Sequence, residues 1–289
     1  MYLVIDIGGT YTKYGYFTIK GECISKDKYE TVKTDIHCFY QSILELVKDD
    51  VEGIAISMPG LINSQTGDIE AITLLPFLAQ HNIVQELFEF VKRPITVCND
   101  AKCAALGEMW KGHLIDAQNA LLMVLGSGIG GTLIMNQHII ESTHHKAGEI
   151  GSILMPMNQD YQSMTNFGAH NNANILIKEL SEVLNCSNDG ATVFSLIHTK
   201  KEALLLFEKY CREIAFMIYN LDYILDLDIV CIGGGISEQP LLIKTIQEQF
   251  SSLRDKYKED QHEPIIQSCL LHNDANLLGA LSFYLSKKE

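Results

Sequence analysis

With 289 residues, 47% of them hydrophobic and 20% charged, the chain is long enough to bury a large core and suits a globular protein of two domains. Its formal net charge of −14 argues against a nucleic-acid backbone as partner, because that needs a basic surface. No apolar run reaches the length of a membrane span, no basic-then-apolar leader opens the chain and the eight cysteines form no C-x-x-C pair, so a cytoplasmic protein with reduced thiols, no membrane partner and no zinc site is expected.

From Leu3, "LVIDIG" is apolar and β-branched; Gly8-Gly9 follows, then the loosely alternating "YTKYGYFTI", which together predict a hairpin. "EGIAISMPG" reads as a buried strand closed by a Pro59-Gly60 turn. "PITVCND" is a further strand, and "AKCAALGEMW" after it has helical spacing at Ala101, Ala104, Ala105 and Met109. "ALLMVLGSGIGGTLIMNQHII" then repeats the order strand, glycine turn, strand. "EALLLFEKYCREIAFMIYNLDYIL" predicts a long helix through Leu204, Phe207, Cys211, Ile214 and Ile218. "DIVCIGGG" predicts a short buried strand, and Pro240 fits the first turn of a helix running to about Phe250. No linker-like stretch separates two halves; the repeated hairpin alone puts a boundary near residues 113–119.

The letters I-G-G-T occur twice, as Ile7-Gly8-Gly9-Thr10 and Ile129-Gly130-Gly131-Thr132. Adjacent glycines have no Cβ and reach positive φ, so successive amides can converge on a phosphate. One such run alone is better explained as a tight turn; two at matching places suggest two grips on one nucleotide. A third cluster, Gly233-Gly234-Gly235, ends a strand ahead of a helix, where open α/β sheets bind their ligands. There is no Walker loop. Gly126 to Gly131 spells G-x-G-x-x-G but leads into a strand, so dinucleotide binding is not expected.

Asp100 follows a strand and opens a helix. It can cap that helix or, as a general base, accept a hydroxyl proton during phosphoryl transfer; position alone favours the cap. Asp6 lies inside an apolar strand beside the first turn. A buried carboxylate must be paired, hydrogen-bonded or associated with a metal, and the water shell of Mg²⁺ is a natural partner beside phosphates. His144, His145 and His170 stand on polar stretches and are expected to be solvated side chains rather than metal ligands. Cys98 and Cys103 flank Asp100, so a thiol reagent is expected to inhibit.

"VIDIGGTYTKYG", "GIAISMPGLINSQTG", "VCNDAKCAALGE", "VLGSGIGGTLI", "KAGEIG" and "IVCIGGG" stand in an order and at spacings that resemble the ROK family of sugar kinases and sugar-responsive repressors, from Leu3 to about Tyr284. The resemblance implies an α/β fold of two actin-like (ribonuclease H-like) ATPase domains. These are residues 1–115 with a C-terminal helix of about 274–289, and residues 116–273, with one nucleotide held between them. It implies ATP with Mg²⁺ and no direct metal ligand, Asp6 acting through water. Phosphate and ATP contacts fall on Asp6, Gly8, Gly9, Thr10 and Lys13, on Gly128, Gly130, Gly131 and Thr132, and on Gly233, Gly234 and Gly235. The family's catalytic aspartate falls on Asp100, which reverses the preference for a cap. Sugar contacts fall on Pro59, Gly60, Asn99, Asp100 and Glu149.

The departures from the family pattern are informative. Many members carry a histidine directly after the "GEIG" motif, where Ser152 stands here. Many then carry a zinc-binding cysteine cluster and a glutamate that touches the sugar; the stretch "NQDYQSMTNFGAHNNANILIKEL" has no cysteine, and no structural zinc is expected. A site relaxed at C1 and C2 of the sugar would admit an anomeric substituent. With "GIAISMPGLI" and "HNDANLLGALSFYL", the pattern is most similar to the branch that phosphorylates the 6-hydroxyl of β-glucosides such as cellobiose. A glucokinase, fructokinase or N-acetylmannosamine kinase of the same family stays open, as does a non-catalytic sugar-sensing regulator. The family's repressors carry a winged-helix domain ahead of the first hairpin, for which no room is expected here. A polypeptide-handling ATPase of the same superfold would need a large extra domain. Dimers are common among kinases resembling this chain, so a homodimer is an open expectation.

Overall fold

The computed structural model describes residues 1–144, 146–156, 164–257 and 262–288. The chain forms two compact units, one of Met1–Ile115, Glu141–Lys146 and Asn273–Glu289, the other of Asp116–Ile140 and Ala147–His272.

In the first unit, β1 (Tyr2–Ile7) is buried at all 6 positions, which is why it reads as an unbroken apolar run around Asp6. It pairs antiparallel with β2 (Tyr11–Phe17), which pairs with β3 (Cys23–Glu30), an outer strand exposed along nearly all its length. Next come α1 (Ile36–Leu44), capped by Asp35, then β4 (Gly53–Met58), the short β5 (Leu61–Ile62) and β6 (Ile69–Ala71), and α2 (Ile83–Val91), capped by Asn82. β7 (Ile95–Asn99) runs straight into α3 (Asp100–Lys111). The sheet order is β3-β2-β1-β4-β7, with β1, β4 and β7 parallel. Leu3, Ile5, Ile54, Ile56 and Val97 fill its core; burying each such side chain contributes about 1.5–3 kcal/mol.

The second unit repeats this plan. β8 (Ala120–Leu125), β9 (Ile129–Met135) and β10 (His138–Ile139) form an antiparallel meander. β11 (Leu154–Pro156) and β12 (Met164–Asn166) form a small ribbon ahead of α4 (Phe167–His170), α5 (Ala173–Leu184), α6 (Gly190–Leu196) and α7 (Lys201–Leu225). β13 (Ile229–Gly233), α8 (Pro240–Tyr257) and β14 (Ile265–Ser268) complete it, and the sheet order is β10-β9-β8-β13-β14, with β8, β13 and β14 parallel. α8 outlasts its expected end near Phe250. Its final turns are anchored by Arg254, which is only 7% exposed and donates through Nη1 to the carbonyl of His262 at 3.0 Å.

The last helix, α9 (Ala275–Ser286), belongs to the first unit and packs on α3, β1, β4 and β7. Two glycines allow the approach: a Cβ on Gly279 would strike the carbonyl oxygen of Cys103, and one on Gly107 would strike that of Ala275. The α3 and α9 backbones therefore meet directly. Among the described residues, no helix is long and apolar enough to cross a membrane.

Candidate functional site

In the first unit the site is built at the end of β1. Register sets Asp6 opposite Ser57 of β4 on one side and opposite Lys13 of β2 on the other. Asp6 is 7% exposed, and its Oδ1 accepts hydrogen bonds from Ser57 Oγ at 2.9 Å and from Asn276 Nδ2, on α9, at 3.0 Å. Burial pushes the Asp6 carboxyl above its ordinary range; the bonds from Asn276 and Ser57 and the Lys13 ammonium pull it part of the way back. Oδ2 has no partner among the described residues. A buried carboxylate with one oxygen doubly bonded and the other open fits a hydrated cation such as Mg²⁺. Lys13 Nζ in turn donates to Asn273 Oδ1 at 3.1 Å.

The turn after β1 closes through Gly8 N–H to the Tyr11 carbonyl at 3.1 Å, and a Cβ on Gly8 would lie 2.8 Å from that oxygen, so glycine is required there. Thr31 secures the turn from outside: its Oγ1 donates to Gly8 O at 2.7 Å and its N–H to Thr10 O at 3.0 Å. Gly9 and Thr10 are exposed at the tip.

Asn99 and Asp100 stand where β7 becomes α3. Asn99 is the cap of that helix, its Oδ1 accepting from Lys102 N–H at 3.2 Å, while its Nδ2 reaches back to the carbonyl of Gly60 at 3.1 Å. Capping by Asp100, the plain reading of its position, is thus corrected: its neighbour does that work. Asp100 is half-buried in the first turn, its Oδ1 accepting from Ala101 N–H at 2.8 Å. Gly60 has φ +118, and a Cβ there would lie 2.7 Å from Ala71 O, so the Pro59-Gly60 turn is held in a shape only glycine permits. Asn99 therefore ties that turn to the strand end bearing Asp100.

In the second unit the expected turn is displaced. Leu125 pairs with Ile129, so the reversal is Gly126-Ser127-Gly128, closed by Gly126 N–H to Gly128 O at 3.0 Å. Gly130, Gly131 and Thr132 lie in β9, opposite Val124, Met123 and Leu122. The second I-G-G-T is therefore strand, not turn. Gly131 and Thr132 are buried, and the Thr132 hydroxyl has no hydrogen-bond partner among the described residues. The missing Cβ of Gly131 leaves room for Gly148 O and Ile150 Cγ1, each 2.7 Å from where it would stand. This lets the loop bearing Glu149 lie flat on β9. Glu149 itself is half-buried after Gly148, whose φ is +87, and its carbonyl accepts from Ser152 N–H at 3.0 Å.

The third glycine cluster joins the second hairpin. Gly233 ends β13 opposite Val124; Gly234, with φ +97, sits against the backbone of Leu125; Gly235 faces open space. Ser237 fixes this turn, its Oγ donating to Gly234 O at 2.8 Å. The first amide of α5, Ala173 N–H, donates to Gly126 O at 2.9 Å. Two glycine turns and a helix start thus meet at one end of the second sheet, an arrangement suited to an anion.

Two smaller expectations change. Cys98 and Cys103 are buried, and burial with the neighbouring Cys98 raises the Cys103 thiol well above its usual range, so neither is poised to react. His170 is no solvated side chain but ends α4 with Nε2 3.5 Å from Glu213 Oε2. His144 is exposed, and His145 lies outside the described residues.

The family model described as the ROK family matches residues 2–287. The chain belongs to the ROK family. Among ROK relatives it is 29% identical over 309 residues to the glucokinase of Halalkalibacterium halodurans, covering 96% of this chain and 93% of that protein. It is likewise 29% identical over 303 residues to the β-glucoside kinase of Listeria innocua, covering 98% and 97%. A ROK family protein from Streptococcus pneumoniae, solved in complex with sucrose, superposes with a TM-score of 0.87 at 27% identity, covering 99% of each chain. The mixed α/β fold is thus the actin-like ATPase fold of ROK kinases.

Sequence reasoning on this ROK chain missed Ser57, Asn276 and Thr31. Ser57 left one signal, a lone hydroxyl in the apolar run "GIAISM"; the other two left none that local pattern could expose.

Proposed function

We propose that this ROK protein is an ATP-dependent carbohydrate kinase that phosphorylates the 6-hydroxyl of a glucosyl sugar, with a β-glucoside such as cellobiose as acceptor. Membership of a family of sugar kinases supports the reaction class. The observation that carries the reading is Asp100, half-buried in the first turn of α3 where β7 ends, with Asn99 beside it serving as the helix cap.

In this reading Asn99, Asp100 and the Pro59-Gly60 turn orient the sugar, with Glu149 as a further hydroxyl ligand. The 6-hydroxyl donates to Asp100. As O6 bonds to the γ-phosphorus, its proton passes to the Asp100 carboxylate, the bond from the γ-phosphorus to the β,γ-bridging oxygen breaks, and ADP leaves. Asp6, Lys13 and the Gly8–Thr10 turn serve the phosphates from one unit; the Gly126–Gly128 turn and Gly233–Gly235 serve the nucleotide from the other. Gly131 and Thr132 are left out because both are buried in β9. Mg²⁺, carried by Asp6 through water, would neutralise phosphate charge.

Support for the β-glucoside acceptor comes from the Listeria innocua relative and from Ser152, exposed where many family members have a bulkier histidine. The test is ADP release from Mg·ATP with glucose, cellobiose, gentiobiose, salicin, fructose and N-acetylmannosamine, with NMR of the product to place the phosphate. Cellobiose or gentiobiose should outrun glucose and give a 6-phosphate. If glucose is faster, the acceptor is wrong and the kinase stands. If a sugar binds without turnover, the chain is a sensor.

A further inference from the structure

We propose that Asn276, at the start of α9, is a positioning residue that holds Asp6 in the orientation needed to carry the nucleotide's cation; this rests on the kinase reading above. Two donors from different elements converge on one oxygen of Asp6. Asp6 Oδ1 receives both Ser57 Oγ at 2.9 Å and Asn276 Nδ2 at 3.0 Å, and the two donors lie 3.4 Å from each other. One bond from Ser57 would leave the carboxylate free to turn about its terminal torsion, which is broad for aspartate. A second donor, reaching the same oxygen from a different element, fixes the plane and leaves Oδ2 as the open acceptor.

The chemistry of the clamp matters as much as its geometry. Both donors are neutral, so they hold the carboxylate without cancelling its charge, which an ammonium in place of Asn276 would do. The Asn276 amide is itself fixed by packing: α9 is locked on α3 where Gly279 meets the Cys103 carbonyl. The residues just before it secure the neighbouring cations. Asn273 accepts from Lys13 at 3.1 Å, and both carboxylate oxygens of Asp274 accept from Lys26, at 2.8 and 2.9 Å. Lys13 is the register partner of Asp6 across β1 and β2. Asn276 at the start of α9 and Asn273 just before it therefore place the negative and the positive group, Asp6 and Lys13, that flank the Gly8–Thr10 turn. A helix added at the end of the chain would need none of these contacts merely to cover the sheet.

The test compares Asn276→Leu, which removes the donor, and Asn276→Asp, which replaces it with an acceptor, with Leu281→Ala, a buried α9 change that lowers thermal stability without touching the clamp. Calorimetric titration of a non-hydrolysable ATP analogue is run with Mg²⁺ and with EDTA, and cellobiose is titrated alongside. Both Asn276 variants should weaken binding of the Mg²⁺ complex about tenfold or more, Asn276→Asp the more strongly. They should raise the Mg²⁺ concentration for half-maximal turnover in step, and leave metal-free nucleotide and sugar binding within about twofold of wild type. Leu281→Ala should change none of these. Unaltered Mg²⁺ dependence in the Asn276 variants, or an equal loss of metal-free nucleotide and sugar binding, overturns the proposal and leaves the kinase reading intact. A wild-type protein that binds no Mg²⁺–nucleotide overturns both.

Discussion

The two sheets share one strand order and one pattern of parallel and antiparallel pairs, yet only one of their leading hairpins carries charge. In the first, Asp6 stands one residue before the end of β1, with Lys13 across from it. In the second, the same place on β8 is Val124, and neither β8 nor β9 contains an ionisable side chain. The first hairpin makes its turn from Gly8-Gly9-Thr10; the second makes it from Gly126-Ser127-Gly128 and uses its I-G-G-T as strand. What is duplicated is a topology and a supply of backbone amides. Of the two leading hairpins, the first holds the charged pair.

Breaking that asymmetry gives the largest expected effect. Asp6→Asn keeps an oxygen that can accept from Ser57 and Asn276 but removes the charge, and activity should fall about 10²–10³-fold, as when one electrostatic group is lost from a preorganised site. Stability should move the other way. Burial raises the Asp6 carboxyl above its ordinary value of 3.8, so the folded state holds the proton more tightly than the unfolded chain. That contribution is present in acid and is lost as pH rises through the folded-state value. The asparagine variant should therefore melt above wild type in mildly alkaline buffer, with the difference closing toward acid pH. A variant both inactive and less stable in alkaline buffer would contradict this.

The uncharged half should respond through its backbone. Gly234→Ala meets both φ +97 and the Leu125 backbone, and denaturant titration should show a loss of about 2–4 kcal/mol. Gly131→Ala, forced against Gly148 O, should cost about 1–3 kcal/mol. Gly128→Ala meets nothing within 4 Å and should stay within about 0.5 kcal/mol of wild type while raising the KM for ATP. A destabilised Gly128→Ala beside an unaffected Gly131→Ala would mean the second turn is misplaced. The smallest effect concerns the thiols: iodoacetamide should label the exposed Cys23 and Cys38 but spare Cys98 and Cys103, with activity retained. Mass spectrometry of the labelled protein checks this.

The legible parts of the molecule were those with a local cause. β1, β4, β8 and β13 are buried on both faces and announce themselves as apolar runs ending near glycine or proline. Asp100 was legible as a position, because a strand ending in Asn-Asp must begin a helix with one of the two. β3 was not legible, since "CISKDKYE" is an edge strand exposed on both faces and shows no alternation. The second turn was misread because four repeated letters were weighed above pairing register, which only the opposite strand fixes. The clamp on Asp6 was out of reach for a different reason: Ser57 and Asn276 meet across 219 residues of chain, and nothing near Asn276 marks the carboxylate it holds.

The most direct measurement compares Asp100→Asn with wild type in Mg·ATP and cellobiose, following ADP release while calorimetry follows sugar and nucleotide binding. Asp100→Asn should lower the rate by about 10²–10⁴-fold, the range for a lost general base, with both ligands bound as before. Turnover kept within about tenfold of wild type would contradict this, and so would a loss of rate fully explained by a loss of binding.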